Sequence, residues 1–230
     1  MQVLAVVPAR GGSAAIPRKN LAEVGGKPLL QWAVESALGG ARVSRVIVST
    51  DDEEIARLAQ RLGAEVPFLR PAALAASDTP MLPVLQSLAV ELRVREGYQP
   101  DVIVLLQPTS PLRRASHIDE ALELLAATGA DSVVSVVPIP HQFVPGAALR
   151  LEAGRLRPYE PGPAATRRQD KPLLYARNGP AVLATRLDVI VAGSLYGDDS
   201  RPYVMDPHES VDVDTPFDLE VADWLLRRHR

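Results

Sequence analysis

The chain of 230 residues contains no cysteine. That excludes disulfides, thiolate metal sites and a cysteine nucleophile. It also lacks any run approaching the ~20 uninterrupted apolar residues needed to span a bilayer. The opening MQVLAVVPAR has no basic segment ahead of its short apolar stretch, so it reads as a first β-strand and not as a signal peptide. Strong basic character is missing too. A net charge of −3 argues against general nucleic-acid or membrane-surface binding. There is no internal repeat, no low-complexity tract, no His/Cys metal cluster and no defensible Ser-His-Asp arrangement. Neither the GxxxxGK[ST] loop nor the GxGxxG fingerprint occurs. The composition that remains, 47 % hydrophobic and 23 % charged, is that of an ordinary globular protein, and the length fits one large domain or one domain with a small appendage, with the cytoplasm as the default location.

What is present is an alternation of buried-strand runs and helical patterns. Val3 to Val7 is a continuous apolar run, and Leu29, Leu30, Ala33, Val34 and Ala37 follow helical spacing. Arg45 to Ser49 reads as a second strand. Ile55, Leu58, Ala59 and Leu62 mark a helix with Thr50 or Asp51 at its N-cap. Glu65 to Phe68 reads as a short strand, Pro80 to Glu96 as a long helix and Val102 to Leu106 as a buried strand. Ile118, Ala121, Leu122 and Leu125 mark a further helix, and Ser132 to Val137 a strand. This βαβα pattern predicts an α/β fold, a Rossmann-like, mostly parallel sheet with helices on both faces. The pattern changes across 138–177, which is rich in Pro, Gly and Arg. Such a long irregular segment is usually functional or an interface arm. Order returns at Ala181 to Leu183, at Ser210 to Asp214, and in a last helix from Phe217 to Leu226.

In open α/β sheets, ligands sit at the carboxyl ends of the strands. The first such turn is Ala9-Arg10-Gly11-Gly12-Ser13, followed by Ile16-Pro17-Arg18-Lys19-Asn20. Glycines there let backbone N–H groups face a ligand, successive N–H groups make a concave anion site, and Arg10, Arg18 and Lys19 add full charges. The loop suits a polyphosphate; the plainer alternative is a flexible βα turn with solvated basic residues. Near the other end, Asp212 and Asp214 alternate along a strand end, so both carboxylates can meet one Mg²⁺. They read equally as a solvated acidic turn, with Asp214 or Thr215 capping the last helix and Pro216 at its first position.

These residues carry a resemblance. The string from Ala9 to Asn20 is similar to the opening signature of the acylneuraminate (sialic acid) cytidylyltransferases, the CMP-sialic acid synthetases. Other segments follow in that family's order: Ser49-Thr50-Asp51; Arg70-Pro71 with Leu74-Ala75 and, one residue further than usual, Asp78; Leu106 to Arg113; Arg168-Gln169; Asn178-Gly179; and Asp212 to Pro216. The resemblance implies the nucleotide-diphospho-sugar transferase type of sheet in a single domain over 1–230, with 138–177 as a dimerisation and sugar-binding insertion. It implies a homodimer that uses CTP, Mg²⁺ and a nine-carbon 2-keto sugar acid. The acid's anomeric hydroxyl would attack the α-phosphate and release pyrophosphate.

By the same resemblance, Ala9, Arg10, Gly11, Gly12, Ser13 and Lys19 hold the nucleotide, with Asn20 and Asp78 as candidates for ribose or cytosine. Asp78 reads alternatively as a helix N-cap before Pro80. Gln107, Thr109 and Ser110 shape the sugar end of the cleft. Arg168 and Gln169 reach the sugar carboxylate across a dimer, and Asn178 orients the sugar or simply holds its turn. Asp212 and Asp214 bind Mg²⁺, and with Arg10 and Lys19 they form the catalytic set. A lone His141 reads as structural or solvent-exposed. Three rivals stay open: the same chemistry on 3-deoxy-octulosonate, legionaminate or pseudaminate; a glycosyltransferase using Asp212-Val213-Asp214 as a DxD element; and a catalytically impaired nucleotide-binding relative.

That last rival is motivated by Ala14, where the family usually has a phosphate-contacting Lys. One lost charge-assisted contact costs roughly 1.5–3 kcal/mol. Ala14→Lys is therefore expected to raise kcat/KM for CTP by about ten- to a hundredfold, measured by pyrophosphate release; an unchanged value would show that the position is not used.

Overall fold

The computed structural model describes residues 1–13, 15–160, 167 and 171–228. Ala14, Arg168 and Gln169, to which the sequence assigned roles, lie outside the described residues.

The strands are β1 (Val3–Pro8), β2 (Glu23–Val24), β3 (Lys27–Pro28), β4 (Arg45–Ser49), β5 (Val102–Leu105), β6 (Ser132–Pro138), β7 (Leu149–Glu152), β8 (Arg155–Pro158), β9 (Tyr175–Arg177), β10 (Leu183–Arg186) and β11 (Ser200–Val204). The helices are α1 (Leu29–Leu38), α2 (Glu53–Arg61), α3 (Met81–Glu96), α4 (Ala115–Thr128), α5 (Leu187–Val191) and α6 (Pro216–Arg228). The central sheet runs β11-β6-β10-β5-β1-β4. β1 is parallel to β4 and β5, and β11 is parallel to β6. β10 is inserted antiparallel between β5 and β6. The expected mostly parallel α/β sheet is therefore present. Among the described residues no helix is long and apolar enough to cross a membrane.

The pleat divides the core. Val3, Ala5 and Val7 of β1 face the side covered by Leu30 and Val34 of α1 and Ile118 and Leu122 of α4. Leu4 and Val6 face the other side, with Leu85, Leu88 and Leu92 of α3 and Ile190 of α5. Successive strand residues point to opposite faces, and a strand buried on both faces must be apolar at every position. A third cluster, off the sheet, gathers Ile16, Val24, Leu29, Leu112, Val213, Ala222, Leu225 and Leu226. It packs the first loop, the β2–β3 hairpin and α6 around Val213, which is fully buried.

Three local readings are corrected. The N-cap of α2 is Asp52, one residue beyond the expected pair, and its carboxylate accepts from the N–H groups of Glu54 and Ile55. Residues 65–68 do not form a strand; Glu65 makes a single parallel bridge to Ile47. The segment carrying Asp212 and Asp214 is irregular and not a strand end.

The 138–177 region contains the β7–β8 hairpin, every residue of which is exposed. β9 then pairs with the carboxyl half of β6, opposite Val136 to Pro138, while β10 pairs with its first half. Five residues, 178–182, therefore sit between partners of Val134 and Val136. This bulge pushes Asn178 and Gly179 out of the ladder at the carboxyl edge of the sheet.

Candidate active site

The carboxyl ends of β1 and β5 and the segment before α6 converge on a cavity of about 550 Å³. Arg10, Gly12, Ser13, Lys19 and Asn20 line it from the first loop. Gln107 and Thr109 come from the loop after β5, and Asp212 and Asp214 from the irregular segment. A second cavity of about 410 Å³ adjoins it, with Met81, Gln107, Gly179 and Asp212 common to both. A slightly larger depression, 590 Å³, lies near Met1, Asp101 and Arg186, at the opposite ends of β5 and β10. It gathers none of the converging loops.

The first loop is tied down by contacts of its own. The Ala9 N–H donates to the carbonyl of Ser49. The Gly11 N–H donates to Asp51 Oδ1 at 3.0 Å. A Cβ on Gly11 would lie 2.7 Å from a carboxylate oxygen of Asp52, so only glycine fits beneath the start of α2. Arg18, with a left-handed φ of 53°, turns away from the cavity to pair with Asp52 at 2.8 Å and Glu54 at 2.5 Å. Of the loop's three cations, Arg10 and Lys19 therefore face the cavity and Arg18 anchors the loop to α2. Asn20 lines the cavity, but its amide donates to the Arg10 carbonyl at 2.9 Å, which fixes the turn.

Lys19 joins the two ends of the sequence. Its Nζ donates to the Val213 carbonyl and to Asp214 Oδ1, each at 3.0 Å. The Val213 N–H in turn donates to the Thr109 carbonyl at 2.8 Å. The segment is held upstream as well. Glu209 pairs with Arg114 at 2.7 Å and His117 at 3.1 Å. Ser210 accepts from the Asn178 amide at 3.0 Å. Downstream, Thr215 and Asp218 exchange hydrogen bonds at the start of α6. Thr215 thus caps the helix, while the Asp214 carboxylate is directed to Lys19.

Asp212 is the strained member. Burial pushes its carboxyl pKa up; a hydrogen bond with Thr109 opposes this and the charge on Asp214 adds to it. Its Oδ1 is buried without a hydrogen-bond partner and lies 3.3 Å from where a Cβ on Gly179 would be. An orphaned buried carboxylate oxygen is costly unless a cation or proton meets it.

Of the remaining sequence candidates, Gln107 lines both cavities and donates from Nε2 to the Gly179 carbonyl at 2.8 Å. Its own carbonyl accepts from Arg113, a buried guanidinium whose pKa burial lowers to about 9. Ser110 is buried behind Thr109 with an unpartnered Oγ. Asn178 is not brought into the cavity. Its side chain is buried, accepting from Ser135 Oγ at 2.6 Å and donating to Ser210, so it holds the bulge and the acidic segment together. Asp78 is exposed and lines neither cavity, and α3 starts at a Pro80 N-cap with no side-chain cap.

The sequence reading passed over Arg70 as a site residue. It lines the main cavity although almost wholly buried, donating to the Ser49 carbonyl and hydroxyl. Burial lowers its pKa, the nearby Asp51 opposing and Arg10 reinforcing that shift. The available signal was its position in Arg70-Pro71, next to the Ser49-Thr50-Asp51 turn.

A mostly parallel sheet whose loops gather cations and two carboxylates over one cavity suits a nucleotidyltransferase. The more specific assignment comes from comparison: residues 4–145 match the family model described as "Cytidylyltransferase", and the chain belongs to that family. It is 33 % identical over 227 residues to CMP-N,N'-diacetyllegionaminic acid synthase of Legionella pneumophila, covering 98 % of this chain and 97 % of that one. It is 34 % identical over 230 residues to N-acylneuraminate cytidylyltransferase A of Danio rerio, of which it spans about half, 51 %, with 98 % of itself aligned. Among solved structures, a CMP:2-keto-3-deoxy-manno-octonic acid synthetase complexed with CTP superimposes over the whole of both chains with a TM-score of 0.74 at 20 % identity, which supports the fold.

The raised Asp212 pKa has a signed consequence. The folded state holds its proton to higher pH than the unfolded chain does, so stability falls as pH rises from the ordinary carboxylate value of 3.8 through the raised folded value, and the penalty persists above it. Asp212→Asn is therefore expected to have a higher Tm than the wild type at pH 7 without divalent cations, the gap closing as pH falls toward 4. Calorimetric melting across that range checks it; a variant less stable at pH 7 would contradict it.

Proposed function

We propose that this cytidylyltransferase transfers CMP from CTP to the anomeric hydroxyl of a nine-carbon 2-keto sugar acid of the sialic and legionaminic kind. A new P–O bond forms at the α-phosphorus, the hydroxyl's proton passes to solvent, the bond to the β-phosphate oxygen breaks, and pyrophosphate leaves. The observation that carries this reading is the contact of Lys19 with Asp214 and Val213 across the cavity. It sets the cationic loop directly against the acidic segment, so one bound triphosphate meets both. The Legionella and Danio relatives, named for CMP-legionaminate and acylneuraminate chemistry, support the acceptor class.

Arg10 and Lys19 would grip the phosphates, with Gly12 and Ser13 shaping the wall. An ammonium has three donors, and two of those on Lys19 are engaged at Val213 and Asp214. Asp212 lines both cavities, which suits the place where phosphate and acceptor meet. Arg70, beside Arg10 in the main cavity, adds a fixed donor. Gln107 would position the acceptor from the border of the second cavity, with Thr109 and Ser110 forming the rigid turn behind it.

Asp212 and Asp214 would hold Mg²⁺. The fit rests on hard oxygen donors and on the orphaned Oδ1 of Asp212. Among the described residues no group of three or more His, Cys, Asp or Glu side chains could hold a metal ion, so its other ligands would be phosphate oxygens and water. When bound, the ion neutralises charge on the phosphates.

The reading includes a cytoplasmic homodimer. A two-stranded hairpin alone is marginal in water, yet β7 and β8 expose Leu149, Leu151 and Leu156, with Tyr159 and Phe143 nearby. A second copy of the chain would cover them.

Incubation with CTP, Mg²⁺ and candidate sugar acids should release pyrophosphate and give a CMP-sugar by mass spectrometry; no product with any nine-carbon acid would overturn the reading. Lys19→Met is expected to lower kcat/KM for CTP by about a hundredfold, the scale of one charge-assisted transition-state contact. In light scattering, the wild type should have twice the chain mass, and Leu151→Glu with Leu156→Glu should halve it. A monomeric wild type would refute the dimer.

A further inference from the structure

We propose that His117, on the first turn of α4, is a positioning residue for the reaction: through Glu209 it fixes where the acidic segment presents Asp212. This rests on the function proposed above. His117 is buried and lines neither cavity. The groups that face it are Arg114 and Glu120 at α4, Glu209 on the segment after β11, and the Tyr203 ring of β11, whose centroid is 6.1 Å from its own.

Its hydrogen bonds fix the tautomer. The Arg114 N–H donates to Nδ1 at 3.2 Å. Nδ1 is therefore bare, and the ring hydrogen sits on Nε2, 3.1 Å from a Glu209 carboxylate oxygen. Burial lowers the His117 pKa; Glu209 and Glu120 oppose that shift and Arg114 reinforces it. The ring is thus neutral at pH 7, and both of its nitrogens are used to join the start of α4 to Glu209. Arg114 also meets Glu209, at 2.7 Å, but its side chain is 64 % exposed against 5 % for His117. An exposed ion pair contributes little, so the buried bond sets the direction of the Glu209 carboxylate. Asp212 stands three residues further on, within about 10 Å of chain. Beyond it, Val213 is held by Thr109 and Lys19. Asp212 therefore hangs between two fixed points, and His117 supplies the upstream one. A displacement of about 1 Å at a reacting centre can cost about a hundredfold in rate.

Glutamine reproduces both bonds, because its amide oxygen accepts and its NH₂ donates, and it is a capping-box residue at this third helical position. Phenylalanine keeps a ring and loses both bonds. The test measures kcat and KM for CTP, with CTP binding by calorimetry and folding by thermal melting. It uses wild type, His117→Phe, His117→Gln, Glu209→Leu and the double variant His117→Phe with Glu209→Leu. His117→Phe is expected to lower kcat by about 10- to 100-fold, and to change KM for CTP less, because Arg10 and Lys19 still grip the phosphates. His117→Gln should recover most of the rate. Glu209→Leu should resemble His117→Phe, and the double variant should be no slower than the worse single one. An unchanged kcat in Glu209→Leu overturns the assignment, whether or not His117→Phe folds. So does a His117→Gln as slow as His117→Phe, or losses that multiply in the double variant. A wild type that binds CTP but converts no sugar acid overturns the proposed function, and this assignment with it.

Discussion

The site depends on the burial of Val213. This residue sits between the two aspartates, fully enclosed with Ile16, Leu29, Leu112 and Leu226. Its N–H is held by Thr109 and its carbonyl by Lys19. Ile16 belongs to the first loop, so one apolar cluster fixes both halves of the cavity. The Lys19–Asp214 pair does not supply this alone. With the Asp214 side chain 70 % exposed, such a pair contributes only about 0–1 kcal/mol. Burying a valine side chain contributes about 1.5–3 kcal/mol. The apolar cluster sets the geometry, and the ion pair chooses which charges face the cavity.

Most of the charges around the cavity answer one another. Asp51 takes the Gly11 N–H, Asp52 and Glu54 take Arg18, and Asp214 takes Lys19. These carboxylates occupy groups of the kind that bind phosphate. Arg10, which meets no carboxylate among the described residues, and the orphaned Oδ1 of Asp212 are the exceptions. One calls for an anion and the other for a cation. The triphosphate and Mg²⁺ of the proposed reaction would answer both.

Much of the fold was legible because β1, β4 and β5 are buried on both faces and therefore read as unbroken apolar runs. β11 was not. Its residues Ser200 to Val204 include Arg201 and Pro202 and are largely exposed, as an edge strand tolerates. Glu65 to Phe68 has strand-like residues but makes only one bridge, because the chain leaves the sheet after meeting Ile47. The N-cap of α2 was misplaced by one because Thr50, Asp51 and Asp52 are all capping types, and sequence does not reveal which one the chain turns on. For the site, loop position and residue type located Arg10, Lys19, Gln107 and the aspartates. They did not show that the amides of Asn20 and Asn178 are used internally, or that Arg18 faces α2. They also left Arg70 unread, because its proximity to Arg10 arises only when the turns after β1 and β4 are brought side by side.

The central claim is that the cavity grips the charged tail of a cytidine nucleotide with its ion. Calorimetric titration of the wild-type protein with CTP and with cytidine, with and without Mg²⁺, tests it most directly. The account predicts that CTP binds at least about a hundredfold more tightly than cytidine in Mg²⁺, from two or more charge-assisted contacts, and that much of this advantage disappears without the ion. Equal affinities for CTP and cytidine in the presence of Mg²⁺ would contradict it.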